Sequence, residues 1–170
     1  MRLEGIMGEL RIFGSIDQKE YILWKYSILK QWILSEPRFY GKNNSLTIRT
    51  ISHPELTTLR QIFYEGKKKV IPQNISDLIK NPVTLAIWFM DDGNISIKND
   101  KCCGYHLNTQ SFTFEENKLL SQVLLKYYGL ICSVQRNNGY YRLYIFTRSA
   151  NRFREIIEDF IVGSMKYKLG

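Results

Sequence analysis

Histidine is scarce: His53 and His106 are the only two, far apart in a chain of 170 residues. A histidine-based triad or a histidine-rich metal site therefore has little material. Three cysteines, with Cys102 and Cys103 adjacent, fit neither a disulfide framework nor a C-x-x-C zinc site, and point to a reducing compartment. Long apolar runs are missing too. The longest is the stretch Leu85 to Met90, against the roughly 20 residues a membrane span needs, and Met1 to Leu10 lacks the apolar segment of a signal peptide. The expectation is a soluble, intracellular protein with no membrane partner. Acid is in deficit, with 16 carboxylates against 24 lysines and arginines and a formal charge of +8. Such a balance suits a polyanion; nucleic acid is the commonest soluble one, and an anionic membrane surface is the runner-up. Any hydrolysis would have to run on carboxylates and lysines.

What is present is arranged twice. Asp17-Gln18-Lys19-Glu20 and Thr113-Phe114-Glu115-Glu116 are both cap-x-x-Glu boxes, 96 residues apart. Each opens an amphipathic segment, Tyr21 to Leu34 and Leu119 to Tyr128, in which Tyr21, Trp24, Tyr26 and Trp32 have the spacing of core residues. A hairpin follows in each copy: Arg38 to Thr50 across Gly41-Lys42-Asn43-Asn44, and Ile131 to Thr147 across Asn137-Asn138-Gly139. Then come capped helices, Ser52-His53-Pro54-Glu55 leading to Tyr64 with Gly66 beyond, and Ser149 leading to Val162 with Gly163 beyond. Each copy closes on basic residues.

The second copy has more upstream. Asn81 suits an N-cap, Pro82 the first helical position and Gly93 the residue past the end, so Asn81 to Lys98 reads as a helix finishing on Asp91 and Asp92, followed by a strand. That is the wrong end for acids, because the exposed carbonyls there carry roughly half a negative charge. A compensating positive charge is expected. Asn94 to Lys98, a turn at Asn99-Asp100 and Gly104 to Ser111 form a further hairpin, with Ile95 and Ile97 on one face. The full unit is helix, hairpin, helix, hairpin, helix. In the first copy the equivalent helix is Leu3 to Gly8, and the interval to the next cap is thirteen residues shorter, about one strand and a turn. Leu10 to Gly14, with Arg11, is then a single strand. The boundaries expected are 1–80 for the shortened half and 81–170 for the complete one.

LAIWFMDDG resembles the motif of the LAGLIDADG homing endonucleases. LNTQSFTFEE (Leu107 to Glu116), FYEGKKKVIPQN (Phe63 to Asn74) and SMKYKLG (Ser164 to Gly170) are similar to blocks of the branch that carries two motif copies in one chain. The resemblance covers nearly everything after about Leu10. It implies an α+β fold of two pseudo-symmetric αββαββα halves with saddle-shaped antiparallel sheets, the first half shortened. It also implies a monomer that cuts double-stranded DNA at a long specific site, with Mg²⁺ (or Mn²⁺) held by the last acid of each motif. Here that acid is Asp92, with Asp91 beside it, and the cation would supply the missing positive charge. Taken alone, Asp92-Gly93 would equally suit a hairpin turn without chemistry. Lys69 and Lys168, 99 residues apart, match the family's active-site lysines. Lys67 and Lys68 read as a solvated face or as phosphate contacts.

The first motif departs from the pattern: Gly-Asp-Gly is replaced by Gly8-Glu9-Leu10. Glu9 is a candidate metal ligand and catalytic acid whose extra methylene displaces the carboxylate by about 1 Å, enough to cost on the order of 10²-fold in rate. An ordinary surface carboxylate is the alternative. Three functions stay open: a homing endonuclease, intact or impaired; a non-cutting DNA binder or an RNA maturase acting on intron RNA; and a structural α/β domain. Alternation along the strands marks Arg11, Arg38, Thr47, Arg49, Ser96, Lys98, Asn108, Gln110, Gln135, Arg136, Arg142 and Tyr144 as DNA contacts, although any half-solvated sheet alternates likewise. An organelle, mitochondrion or chloroplast, and a bacterial cytoplasm are both compatible with the composition.

Overall fold

The structure, a computed structural model, describes residues 8–170. The helix expected over Leu3 to Gly8 lies outside the described residues, apart from Gly8. Two compact units divide the chain, one ending at Lys67 and including Val162–Met165, the other made of Lys68–Ile161 and Lys166–Gly170. The division thus falls before the expected break at Lys80. Among the described residues no helix is long and apolar enough to cross a membrane.

In the first unit, strand β1 (Arg11–Ser15) leads to helix α1 (Lys19–Ile28), strands β2 (Arg38–Tyr40) and β3 (Ser45–Arg49), helix α2 (Pro54–Phe63) and the short strand β4 (Tyr64–Glu65). The sheet order is β1-β3-β2, all antiparallel, so among the described residues this sheet has three strands, in keeping with the shortened interval in the sequence. Ile22 on α1 packs with Ile33, Leu46 and Ile48 against one face of it.

Three local expectations yield to this packing. The first long helix stops at Ile28, short of Leu34, and gives way to a single 3-10 turn, Lys30–Trp32. The turn lets Ile33 enter the core and the Trp32 carbonyl accept from Ile51 N–H at 2.7 Å. Asp17 makes no cap, because Ile16–Gln18 is itself a 3-10 turn, and the Glu20 carboxylate accepts from Ser164 N–H at 2.8 Å instead. His53, rather than Ser52, caps α2 through Nδ1.

The second unit opens on β5 (Lys68–Lys69) and continues through α3 (Ile75–Leu78), α4 (Pro82–Asp92), β6 (Gly93–Lys98), β7 (Lys101–Leu107), α5 (Phe114–Tyr128), β8 (Cys132–Asn137), β9 (Tyr140–Phe146) and α6 (Thr147–Ile157). From α4 onward this is the expected αββαββα order, with antiparallel sheet order β6-β7-β9-β8. One sheet face buries Tyr105, Leu107, Leu143 and Ile145, and the same core holds Phe89 of α4, Leu120 and Leu124 of α5 and Phe153 of α6. Packing around Cys132 pushes its thiol up to about 12, which marks it as inert.

Corrections occur here as well. The second strand of the new hairpin spans Lys101–Leu107 rather than starting at Gly104 and running to Ser111. A bulge at Cys103 shifts the register between Ser96 and Ile97; β6 keeps its alternation, so Ile95 and Ile97 point to one side as expected, but Ile97 is exposed. Helix α6 begins at Thr147, not Ser149, because the buried Ser149 hydroxyl accepts from Ile131 N–H at 3.0 Å, and it ends at Ile157 rather than Val162. Gly93 has φ −96°, so it is not a left-handed cap; a Cβ there would lie 2.1 Å from the Phe89 ring, and that close approach is its reason.

The Thr113 capping box forms as expected. Glu116 accepts from Thr113 N–H at 2.8 Å and from Ile71 N–H at 3.0 Å. Burial by itself would raise the Glu116 pKa. Those hydrogen bonds and the charge of Lys68 outweigh it and hold the carboxyl below its ordinary 4.5. Its stabilisation is therefore complete above the unfolded value and lost as pH falls through the depressed folded one. Urea midpoints of Glu116→Gln between about pH 3 and about pH 7 are expected to show a loss of about 1 kcal/mol at the upper end and a flatter acid limb. An acid limb as steep as the parent's would remove Glu116 from that role.

Candidate functional site

Helix α4 is apolar on nearly all sides. Leu85, Ala86, Phe89 and Met90 are buried, while Asp91 and Asp92 emerge exposed at its C-terminal end. The compensating charge at this end is supplied by the chain itself. Lys168 donates from Nζ to the Met90 carbonyl at 2.5 Å and to the Asp91 carbonyl at 3.4 Å, meeting the helix terminus where its partial negative charge lies.

The position of Lys168 follows from its neighbour. Leu169 is buried, and its carbonyl accepts from the Tyr105 hydroxyl at 3.0 Å and from Arg154 Nη2 at 2.6 Å. The backbone carbonyl of Asp92 in turn accepts from Asn108 N–H at 2.9 Å, which ties the loop after β7 to the end of α4. That loop is held from below by the fully buried Asn117, whose amide donates to the carbonyls of Phe112 at 3.2 Å and Thr113 at 2.9 Å.

Among the described residues no three His, Cys, Asp or Glu side chains gather into a metal cage. Asp91 and Asp92 are nevertheless hard oxygen donors of the type Mg²⁺ takes one or two at a time, with phosphate and water filling the remaining positions. They fit such an ion. Glu9 fits it poorly, because Arg11 Nε donates to one of its oxygens at 2.5 Å and Arg49 Nε to the other at 2.6 Å. Desolvation would raise the Glu9 pKa, but the hydrogen bonds from Arg49 and Arg11 and their charges hold it below the usual carboxylate value. Lys67, Lys68 and Lys69 are all exposed.

The strand residues separate by face. In the first unit Arg11 stands opposite Arg49, Phe13 opposite Thr47, and Thr47 opposite Arg38, so the four expected contacts share the face turned away from the core. Phe13 and Tyr40 share it too, 65% and 50% exposed. Sequence reasoning missed both, because an aromatic in a strand reads as core; strict alternation with Arg11 and Arg38 was the available signal.

In the second unit Ser96, Lys98, Gln135, Arg142 and Tyr144 occupy the outer face, together with Asn94 and His106, which had not been singled out. Arg136 does not belong with them: it pairs with Tyr141 on the opposite face, as adjacency to Gln135 requires. Asn108 and Gln110 lie in the loop beyond β7, linked as Gln110 Nε2 to Asn108 Oδ1 at 3.3 Å and Asn108 Nδ2 to Asn94 Oδ1 at 3.2 Å. The Tyr144 hydroxyl donates to the Cys103 carbonyl at the bulge, so its ring rather than its hydroxyl faces outward. His106 is 8% exposed, and its Nδ1 has no hydrogen-bond partner. Burial and then the Arg142 charge lower its pKa, against an opposing hydrogen bond with Gln135, and the net lowering favours the neutral ring.

Known proteins agree with these features. The model of the LAGLIDADG DNA endonuclease family matches residues 2–153. A probable intron-encoded endonuclease 1 of Wickerhamomyces canadensis is 31% identical over 166 residues, spanning 89% of this chain and 69% of its own. A cytochrome b mRNA maturase bI2 of Debaryomyces hansenii is 32% identical over 123 residues, spanning 71% of this chain and 45% of its own. A solved structure of the homing endonuclease I-WcaI bound to its DNA recognition sequence superposes with a TM-score of 0.88 at 26% identity, covering 100% of this chain and 78% of that one.

Proposed function

This chain belongs to the LAGLIDADG DNA endonuclease family, and on that premise we propose that it is a monomeric homing endonuclease hydrolysing phosphodiester bonds at a long specific site in duplex DNA. The observation that carries this reading is the end of α4, where Asp91 and Asp92 are exposed and Lys168 Nζ donates to the backbone carbonyls of Met90 and Asp91. Two acids and a fixed positive charge at one helix end are equipped to handle a phosphodiester, whose transition state gathers charge on oxygen.

Asp92 and Asp91 would hold a divalent cation, Mg²⁺ or Mn²⁺, which when bound supplies Lewis acidity, a more acidic water and neutralisation of the leaving oxygen. The protein's own part is positional. Helix α4, fixed in the core, sets the carboxylates; Lys168, fixed through Leu169, presents a positive charge to the phosphate; Lys69 matches the family's other lysine. The outer faces of the two sheets bind duplex DNA, with Lys67 and Lys68 as phosphate contacts. With intron-encoded relatives, an organelle is the proposed setting.

The test is cleavage of a randomised duplex library in Mg²⁺ and in EDTA, with nicks and double-strand breaks sequenced separately. Cation-dependent breaks at one enriched long site are expected. Sequence-specific binding without breaks in any divalent cation would overturn the enzyme reading. The maturase relative gives the second reading, protein-assisted splicing of intron RNA, which that outcome would favour. Lys168→Met is expected to lower single-turnover cleavage by about 10²-fold with duplex affinity little changed. Equal losses in both would make Lys168 a binding residue only.

A further inference from the structure

We propose that Glu9 is a positioning residue that aims Arg11 and Arg49 at guanine edges in the major groove, and not an acid of the cleavage centre; this rests on the DNA-binding reading above. Strands β1 and β3 place Arg11 directly opposite Arg49 on the outer face. Two like charges in that relation destabilise a sheet. Glu9 lies between them, taking the Arg11 Nε on one oxygen and the Arg49 Nε and Nη2 on the other.

The order of depth decides what this arrangement presents outward. The Glu9 side chain is 20% exposed, whereas those of Arg11 and Arg49 are 54% and 60% exposed. The carboxylate therefore sits behind the guanidiniums. Arg11, held by its Nε, and Arg49, held by its Nε and one Nη2 hydrogen, each still offer one hydrogen on either Nη along the terminal edge of the planar fork, an edge that can pair bidentately with the O6 and N7 of guanine. Both forks border a hollow of about 340 Å³ on this face, which Arg38, Tyr40 and Thr47 also line.

A phosphate-binding role explains the carboxylate less well. Phosphate accepts an ammonium or guanidinium from many directions, and a carboxylate close behind repels it. Reading a base edge, by contrast, needs a guanidinium fixed in plane, which is what two hydrogen bonds to a semi-buried carboxylate accomplish. Glu9 also cuts the charge of the cluster, and with it the sequence-independent attraction to DNA.

The experiment selects a randomised duplex library with the parent chain, Glu9→Gln, Arg11→Lys and Arg49→Lys, then measures affinity against salt and cleavage of the best site in Mg²⁺. Each lysine variant keeps its charge but loses the fork. Each is expected to lose about 10-fold preference for guanine at one position of the site. Glu9→Gln is expected to weaken both preferences together, bind unselected duplex more tightly with a salt slope steeper by about one counterion, and cut the bound site at the parent's rate. An unchanged base profile with cleavage lost would assign Glu9 to the cleavage centre and overturn the proposal. So would lysine variants whose affinity falls evenly over all sequences, the signature of phosphate contacts. A parent chain that selects no duplex would overturn the DNA reading itself, and this inference with it.

Discussion

Asp92→Asn is expected to reduce cleavage by about 10³-fold or more, a barrier increase of about 4 kcal/mol, while duplex binding stays intact or tightens. The substitution is isosteric and removes only charge. Asp92 is exposed, and its backbone carbonyl keeps the Asn108 N–H whatever the side chain is, so this backbone tie at the end of α4 survives the substitution. What disappears is a hard anionic oxygen next to the phosphate, and with it the capacity to hold a divalent cation there. Removing a negative charge close to DNA also lessens repulsion, hence the unchanged or tighter binding. Single-turnover cleavage in Mg²⁺ and equilibrium binding in EDTA read the two quantities separately. Cleavage within tenfold of the parent, or binding lost with the fold intact, would remove Asp92 from the proposed role.

Phe89→Ala is expected to be the most damaging core substitution, costing about 3–5 kcal/mol. Phe89 is fully buried, edge-on to Tyr105 at 5.4 Å and to Phe153 at 5.1 Å, while those two rings lie 4.9 Å apart. The three rings join α4, β7 and α6, so the cavity left behind has rigid walls on every side and cannot collapse. The loss reaches the site, because Phe89 is two residues before Asp91 on the helix that carries both acids. Urea unfolding should show a lower midpoint at unchanged slope, and cleavage should fall even where the protein remains folded. A cost under about 1 kcal/mol would mean that the cluster repacks freely, contrary to this account.

Part of the site could be read without coordinates because it depends on local rules. Asn81-Pro82 opens and Gly93 follows a short apolar helix whose last residues are Asp91 and Asp92, and the structure keeps those bounds. The outer-face residues Arg11, Arg38, Thr47 and Arg49 followed from strand alternation, a period-two rule that needs no tertiary information. The same rule, applied strictly, separates Arg136 from Gln135 and admits Phe13, Tyr40 and His106. Those misses came from reading residue type ahead of spacing. The bulge beside Ile97 and the early end of the first long helix were beyond local rules, since each is set by which residue the core accepts.

The sequence by itself determined the kind of protein: a basic chain with a doubled helix–hairpin pattern, one copy short by a strand, and two acids closing an apolar helix. Each of these depends on composition, spacing or capping, properties that neighbouring residues settle among themselves. Only the tertiary structure decided what each charge does. Lys168 meets the carbonyl end of α4 because Tyr105 and Arg154 hold the Leu169 carbonyl, and Glu9 is drawn to Arg11 and Arg49 because β1 and β3 pair in that register. The physical reason is range. A carboxylate's partner is whichever cation the fold brings within hydrogen-bond distance, and Arg49 is 40 residues from Glu9 while Lys168 is 78 from Met90.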